Sequence, residues 1–230
     1  MFPFLRTVWR RLRRRVDRYR TSRLPELEVR EAYACLADVY PPEAHNPFMR
    51  LEQAAVLDLV PDVAGKAVLD VACGTGRYLK ILRGRAAACV VGVDLSIEML
   101  RRTCAPGSVA RGDLRALPVA GERFELVTCG LAVGHVVELD AAIAEMARVL
   151  VPGGTLVYSD FHPSAFQQGR ARVFRVGDRA FAVEHHPHLP EAHRAACRAA
   201  GLEIEEMRDV FSETGPRFPA VLTVRARRRP

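Results

Sequence analysis

Short apolar runs and amphipathic stretches alternate through the middle of the chain. The apolar runs have the length and flanking turn residues of buried strands, and they occupy residues 67–71, 89–93, 124–129 and 155–159. Apolar residues between them recur every three or four positions, which predicts helices. These helices are expected to end near Gly84, to run from a Ser96 cap to about Thr103, and to run from about Asp140 to Pro152-Gly153-Gly154. This alternation predicts βαβ crossovers and a parallel sheet covered on both faces.

Both ends of the chain depart from that rhythm. Residues 1–23 place one apolar stripe on a helix whose other faces are arginine, which predicts a basic amphipathic helix. Residues 24–59 predict further helix, broken by prolines at 41–42 and near Asn46-Pro47. Residues 173–183 predict a hairpin that turns at Gly177-Asp178, followed by a helix over 190–200 that Gly201 closes. Residues 202–211 and 218–224 then predict two strands that pair antiparallel at the sheet edge.

Four segments follow from this pattern. They are a basic helix (1–23), an N-terminal helical cap (24–60), an α/β core (61–160), and a last segment with the hairpin lid, the last helix and the strand pair (161–230).

The net charge of +7 is unevenly distributed along the 230 residues. Residues 1–23 hold nine arginines and one aspartate, and residues 225–230 hold four more arginines. When these are removed from the totals of 34 cations and 27 anions, residues 24–224 keep 21 cations and 26 anions, a net charge of −5. A mildly acidic body with basic ends disfavours nucleic acid as a partner.

Cysteine and histidine patterns give little support to a metal or disulfide framework. The six cysteines are scattered without a C-x-x-C pair, which fits buried thiols in a reducing compartment. No apolar run is long enough to span a bilayer. His185, His186, His188 and His193 lack the acids or cysteines at fixed spacing that a zinc site needs, so we expect no metal, and a lid loop over the substrate is the preferred interpretation.

The residues that follow the strands predict a nucleoside site, because ligands of parallel sheets bind beyond the carboxyl ends of the strands. Gly74 and Gly76 follow the first strand and allow a tight turn, and Asp94 follows the second, 18 residues beyond Gly76. That position suits a carboxylate that accepts ribose hydroxyls. Residue 79 is leucine instead of the third glycine of a dinucleotide fingerprint, so the expected ligand is a nucleoside without a diphosphate.

Four successive motifs resemble those of the class I S-adenosylmethionine-dependent methyltransferases, of the small-molecule, type 11-like kind. They cover 68–78, 92–100, 112–114 and 148–154. The resemblance implies an α/β, Rossmann-like fold with a seven-stranded, mostly parallel sheet, helices on both faces and an antiparallel last strand. It also implies S-adenosyl-L-methionine as cofactor, with a binding set of Asp70, Gly74, Gly76, Asp94, Leu95, Met99, Asp113, Leu114 and Gly130. Asp94 would hold the ribose and Asp113 the adenine amino group, although helix-cap and turn roles are the alternatives for these acids.

Two histidines follow the fourth and fifth strands and are the candidates for catalysis. We hypothesise that His135 or His162 is a general base or an acceptor hydrogen-bond partner. A histidine that only caps or packs is an equally supported interpretation for each. Tyr33, Tyr40, His45 and Arg50 belong to a segment that folds over the cofactor in similar enzymes. Arg50 is a candidate partner of the cofactor carboxylate, and a solvated arginine is the default alternative.

The predicted function is transfer of a methyl group to a small-molecule acceptor, with O or N favoured over C. The alternative is a cofactor-binding, non-catalytic accessory protein that the basic helix recruits to a partner or a membrane. Residues 1–23 suit peripheral contact with an anionic membrane or packing in a homodimer about equally. The expected location is cytoplasmic, with contact at the inner face of the membrane as an option.

Overall fold

The computed structural model describes residues 24–105, 107–212 and 218–230. The amphipathic helix predicted over 1–23 lies outside these residues. The strands are β1 (Glu26–Leu27), β2 (Ala67–Val71), β3 (Cys89–Asp94), β4 (Val109–Arg111), β5 (Phe124–Gly130), β6 (Leu150–Phe161), β7 (Val173–Val176), β8 (Arg179–Val183), β9 (Leu202–Val210) and β10 (Val221–Arg228). The helices are α1 (Val29–Leu36), α2 (Pro47–Leu59), α3 (Arg77–Gly84), α4 (Ile97–Arg101), α5 (Leu139–Val149), α6 (Pro163–Gln167) and α7 (Pro190–Ala199). A 3-10 turn covers Val133–His135.

Seven strands form the central sheet in the order β4-β3-β2-β5-β6-β10-β9. The pairs from β4 to β6 are parallel, whereas β10 runs antiparallel to both β6 and β9. The predicted fold class is confirmed, including the antiparallel last strand. That strand lies between β6 and β9, so β9 forms the edge.

The central strands bury both faces because successive side chains point to opposite sides of a sheet. Val68 and Leu126 pack on the face covered by α2 and α3. Leu69 and Val127 pack on the other face, against α5 and α7. These continuous apolar runs are therefore the signature of a sheet covered on both sides.

A smaller sheet in the order β1-β8-β7 lies apart from the central one in hydrogen bonding. The hairpin predicted over 173–183 is confirmed, and Gly177 makes its turn with a φ of +56°. The first strand, β1, pairs parallel with β8. Helix was expected over this part of 24–59, and that prediction is wrong for Glu26–Leu27. The two residues gain their partner from a hairpin about 155 residues further along the chain, which no local pattern shows.

The boundary between α5 and β6 also differs from the prediction. The helix ends at Val149 and the strand begins at Leu150, before the Pro152-Gly153-Gly154 turn that was expected to separate them. The register of β6 against β5 shifts between Phe124 and Leu126. This irregularity accommodates a proline that cannot donate to the ladder and a glycine at 153 with a φ of +76°.

The C-terminal arginines belong to the fold instead of forming a separate basic end. The last strand spans Val221–Arg228 and not the expected 218–224. Arg225 and Arg227 both pair with Glu205 of β9, at 2.6 and 2.5 Å. The two arginines thus share one carboxylate as their ion-pair partner.

Candidate active site

A cavity of about 360 Å³ opens at the carboxyl ends of β2, β3 and β5. The central sheet contributes Asp70, Asp94 and Gly130 to its wall. The opposite contributions come from α1 and from the loops that flank the hairpin, including Tyr33 and Arg172. The position agrees with the rule that ligands bind beyond the carboxyl ends of parallel strands.

Gly74 and Gly76, which follow β2, are glycines for different physical reasons. Gly74 has a φ of +56°, lines the cavity and has open space where a side chain would begin. Gly76 has a φ of +98° and does not line the cavity. A Cβ at Gly76 would lie 2.8 Å from the side chains of Thr103 and Cys104. Of the two predicted binding glycines, only Gly74 is therefore placed against the cavity, and Gly76 allows the start of α3 to pack closely.

Asp94 connects the ends of two strands through its carboxylate. Oδ2 accepts from the backbone N–H of Gly74 at 2.7 Å, and Oδ1 accepts from that of Ser96 at 2.8 Å. Burial raises the pKa of Asp94, and these backbone donors oppose the rise. Ser96 also caps α4, as predicted, by accepting from the N–H of Met99. A carboxylate oxygen has two acceptor sites, so Asp94 keeps acceptor capacity toward the cavity.

Asp70 contributes a buried carboxyl with one oxygen unpartnered. The hydroxyl of Thr128 donates to its Oδ1 at 2.9 Å, and Oδ2 is buried without a hydrogen-bond partner among the described residues. Burial raises the pKa of Asp70 to about 7. An unpartnered acceptor in a cavity wall is a position for a donor from a ligand.

The other predicted cofactor residues all line the same cavity. Leu95, Met99 and Leu114 supply an apolar part of its wall. Gly130 lines it too, and a Cβ there would lie 2.7 Å from the ring of Tyr78. Asp113 is committed to Arg115, whose guanidinium lies 2.7 Å from Oδ2 and lowers the pKa of the carboxyl. The turn interpretation of Asp113 thus has structural support beside the adenine one.

Arg77, which was not among the predicted site residues, lines the cavity, whereas Arg50 does not. Arg50 is exposed and does not line the cavity. Arg77 lines it and forms an ion pair of 2.7 Å with Glu52, which is fully buried. Glu52 also accepts from the hydroxyls of Tyr78 (2.9 Å) and Ser159 (2.6 Å). The sequence signal that could have singled out Arg77 was its position directly after Gly76 in the first motif.

His135 reaches the cavity through a network with Tyr33 and Arg172. Its Nδ1 lies 2.9 Å from the carbonyl oxygen of Glu184, which can only accept, so Nδ1 carries the proton. Its Nε2 then accepts from the hydroxyl of Tyr33 at 3.0 Å. Arg172 donates to that hydroxyl at 2.8 Å. Burial, together with the charge of Arg172, lowers the pKa of His135 well below its ordinary value, so the imidazole is neutral.

His162, the second candidate, is not brought to the cavity. Its Nδ1 accepts from the backbone N–H of Ser164 at the start of α6 (3.2 Å), and its Nε2 lies 3.2 Å from Asp209. This geometry matches the capping interpretation. His45 is also outside the cavity wall, whereas Tyr33 and Tyr40 line it.

The histidines after the hairpin separate into different environments. His186 lines the cavity, while His185 stacks on Phe166 and His193 lies 3.1 Å from the hydroxyl of Tyr158. Glu184 and His186 place the loop after β8 in the cavity wall. Among the described residues, no group of three or more His, Cys, Asp or Glu side chains is arranged to hold a metal ion.

The described helices also include none that is both long and apolar enough to cross a membrane.

Comparisons with known proteins point to one family. Residues 69–158 match a family model described as a methyltransferase domain. Methyltransferase GfsG of Streptomyces halstedii is 33% identical over 172 residues, which are 69% of this chain and 60% of that protein. Demethylmenaquinone methyltransferase of Renibacterium salmoninarum is 41% identical over 113 residues, 47% of each chain. The chain thus spans about half to three fifths of these curated relatives.

A solved structure shows the same fold. The S-adenosylmethionine-dependent methyltransferase from Mesorhizobium loti superposes with a TM-score of 0.66 at 24% sequence identity. The superposition covers 77% of this chain and 98% of that one.

Proposed function

Residues 69–158 belong to the class I S-adenosylmethionine-dependent methyltransferases, and we propose that the chain transfers the methyl group of S-adenosylmethionine to a small-molecule acceptor. The observation that carries this proposal is the cavity beyond β2 and β3, with the carboxylates of Asp70 and Asp94 in its wall. The small-molecule class draws support from the relative named for demethylmenaquinone.

The residues in the cavity fit the chemistry of that cofactor. S-adenosylmethionine carries an ammonium group, a positively charged sulfur, ribose hydroxyls and an apolar adenine ring. The unpartnered Oδ2 of Asp70 suits the ammonium group, and the remaining acceptor capacity of Asp94 suits the ribose. Leu95, Met99 and Leu114 suit the ring, and Arg77 suits the cofactor carboxylate. When bound, the cofactor supplies a methyl group already activated on sulfur.

The chain then needs to orient an acceptor and remove one proton. Positioning an acceptor in line with an activated methyl group, away from water, supplies most of the acceleration. Tyr33 Oη can accept a proton from the acceptor while its own proton passes to Nε2 of His135, 3.0 Å away. The tyrosine hydroxyl is thereby restored with the acceptor's proton, and the imidazole has gained one proton.

The low basicity of His135 favours an O or N acceptor over a C acceptor. A hydroxyl or amine becomes strongly acidic as it gains a methyl group, so a weak base suffices. A carbon acceptor must lose its proton beforehand, which needs a stronger base. His135, with its lowered pKa, is suited to the first case.

Titration calorimetry with S-adenosylmethionine and a turnover assay test the function together. We expect Asp94→Asn to weaken binding about tenfold or more, because a charge-assisted acceptor is lost. Asp140→Asn, an exposed acid on α5, is the matched control and should bind as wild type. Release of S-adenosylhomocysteine with a screened metabolite would establish an enzyme. Binding without turnover of any acceptor would favour the accessory protein.

Residues 1–23 supply a separate proposal about location. The nine arginines and the apolar stripe favour contact with an anionic membrane or a second copy of the chain. Flotation with anionic liposomes, comparing the full chain with one lacking 1–23, tests the membrane role. Equal partition of the two would exclude it.

A further inference from the structure

Arg172 is an almost completely buried arginine in the wall of the cavity. It follows α6 and precedes β7, and only 4% of its surface is exposed. Charged side chains are rarely buried to this degree without a partner of opposite charge. Arg77 satisfies that expectation through its ion pair of 2.7 Å with Glu52. Arg172 has no carboxylate within 4.0 Å among the described residues.

Most of the hydrogen-bonding capacity of Arg172 is unused. A guanidinium has five N–H donors. One N–H donates to the carbonyl of Leu131 at 2.8 Å and one to the hydroxyl of Tyr33 at 2.8 Å. Its Nε is buried and has no hydrogen-bond partner in the part of the chain that the structure describes. A planar donor set with a free edge is the arrangement that binds a carboxylate through two parallel hydrogen bonds.

Aromatic rings hold the guanidinium in this position. Its Cζ lies 4.7 Å from the ring centre of Phe161, 5.7 Å from that of Phe174 and 6.0 Å from that of Tyr33. Cation–π contacts of this kind offset part of the cost of burying the charge.

The titratable groups around Arg172 include two histidines and one acid. His135 and His185 both face its charge and are neutral, because burial and the guanidinium lower the pKa of each. Asp160 is the nearby acid, and burial raises the pKa of its carboxyl to about 7. Its Oδ1 accepts from the backbone N–H of Phe161 at 2.8 Å. Among the described residues, no carboxylate is in direct contact with the guanidinium of Arg172.

We propose that Arg172 binds a carboxylate of the methyl acceptor, so that the enzyme selects anionic small molecules. This inference rests on the proposed function, since it assigns the acceptor side of the same cavity. Anchored on Arg172, the acceptor lies beside Tyr33 and His135. The guanidinium donates to the hydroxyl of Tyr33, and that hydroxyl in turn bonds His135. Arg172 is then a specificity-determining residue, and the methyl group is transferred to a hydroxyl or amine elsewhere on the same molecule, which loses its proton through Tyr33 and His135.

Paired acids and amides test the proposal without knowledge of the natural acceptor. Benzoate with benzamide, and hexanoate with hexanamide, are titrated into protein saturated with S-adenosylhomocysteine and into protein alone. The readout is the proton–nitrogen NMR signal of arginine Nε–H groups, assigned to Arg172 by its loss in Arg172→Gln. We expect the acids to shift this signal and the amides to leave it unchanged.

Variants separate a binding role from a structural one. Arg172→Gln should weaken binding of the acids about tenfold or more, while Arg175→Gln, an exposed arginine on β7, should bind them as wild type. Arg172→Lys keeps the charge and should lose less affinity than Arg172→Gln. Arg172→Lys also removes the arginine Nε–H, so it assigns the signal, and the wild-type comparison of acids with amides stands, even if Arg172→Gln does not fold.

Two results would overturn the proposal. One is an Arg172 signal that no acid shifts, and the other is equal binding of acids by wild type and Arg172→Gln. Absence of S-adenosylhomocysteine binding would instead overturn the proposed methyltransferase function. The titrations on protein alone would then still decide whether Arg172 binds carboxylates.

Discussion

The hydroxyl of Tyr33 lies 3.0 Å from Nε2 of His135, which joins α1 to the 3-10 turn that follows β5. The two residues are 102 positions apart in sequence. Because Nδ1 of His135 is committed to the carbonyl of Glu184, the imidazole can reach an acceptor only through the tyrosine hydroxyl. The predicted catalytic histidine is therefore one member of a pair.

Tyr33→Phe tests that relay. The change removes only the hydroxyl, so we expect turnover of an O or N acceptor to fall about tenfold to a hundredfold, the scale of general acid–base catalysis. Binding of S-adenosylhomocysteine should change little, because the ring remains. Measurement of kcat beside calorimetry separates the two effects, and an unchanged kcat would exclude Tyr33 from proton transfer.

Asp70 predicts how stability changes with pH. Its pKa rises through burial from 3.8 to about 7 in the folded state. Between these values the unfolded chain has released the proton and the folded chain has kept it, so Asp70 lowers stability progressively as pH rises from about 4 to 7. Asp70→Asn cannot titrate, so its stability relative to wild type should rise across that window.

Urea unfolding of both proteins at several pH values checks this expectation. A stability difference that stays constant from pH 4 to 7 would show that Asp70 titrates normally. The same ionisation gives wild type a stronger attraction for the ammonium group of the cofactor as pH rises through 7. Asp70→Asn should lose that pH dependence of binding.

Glu52→Gln should destabilise the chain strongly. Glu52 is fully buried and pairs with Arg77, so its replacement leaves a buried guanidinium without a counter-ion. Breaking one partner of a buried ion pair costs about 3–5 kcal/mol. Glu122→Gln, which breaks an exposed pair with Arg228 at 2.8 Å, should cost less than about 1 kcal/mol. Equal urea midpoints for the two variants would contradict this ranking.

Gly130→Ala tests the close approach of Tyr78 to the end of β5. The added Cβ would lie 2.7 Å from the tyrosine ring and 3.2 Å from Oε1 of Glu52. We expect a loss of about 1–3 kcal/mol, the usual cost of overpacking. Gly84→Ala, with no atom within 4 Å of the new Cβ, should be neutral or slightly stabilising. Thermal unfolding of the two variants checks this expectation. A wild-type Tm for Gly130→Ala as well as Gly84→Ala would contradict the close approach of Tyr78.

Much of the fold follows from local patterns. The alternation of strands and helices, the Ser96 cap and the Gly177 turn each depend on residues within a few positions, and all three were predicted. The short strand β4 was missed because three residues beside Gly112 carry no periodicity of their own. It forms because β3 offers an edge, to which Val109 pairs opposite Gly92.

The cofactor side of the cavity was predicted better than the acceptor side, again because local patterns do not show long-range contacts. On the cofactor side, Asp70, Gly74 and Asp94 were predicted, because the ends of parallel strands converge whenever the sheet forms. On the acceptor side, Tyr33 and His135 were singled out without their connection, and Arg172 was missed. An isolated arginine between a helix and a hairpin looks solvent-exposed until the packing around it is known.

The sequence alone predicted the alternation of strands and helices and the acids that follow the parallel strands, since these follow from side-chain period and backbone restrictions. The seven-stranded sheet was implied by the family resemblance, and the order of its strands was not predicted. Tertiary structure decided which side chains meet. Gly74 lines the cavity, whereas Gly76 packs against other side chains. His135 contacts Tyr33, and His162 lies outside the cavity wall. Tertiary packing also buries Arg172, with no carboxylate in contact with it among the described residues. Burial and distance between remote segments set these outcomes, and neither is written in any local stretch of the chain.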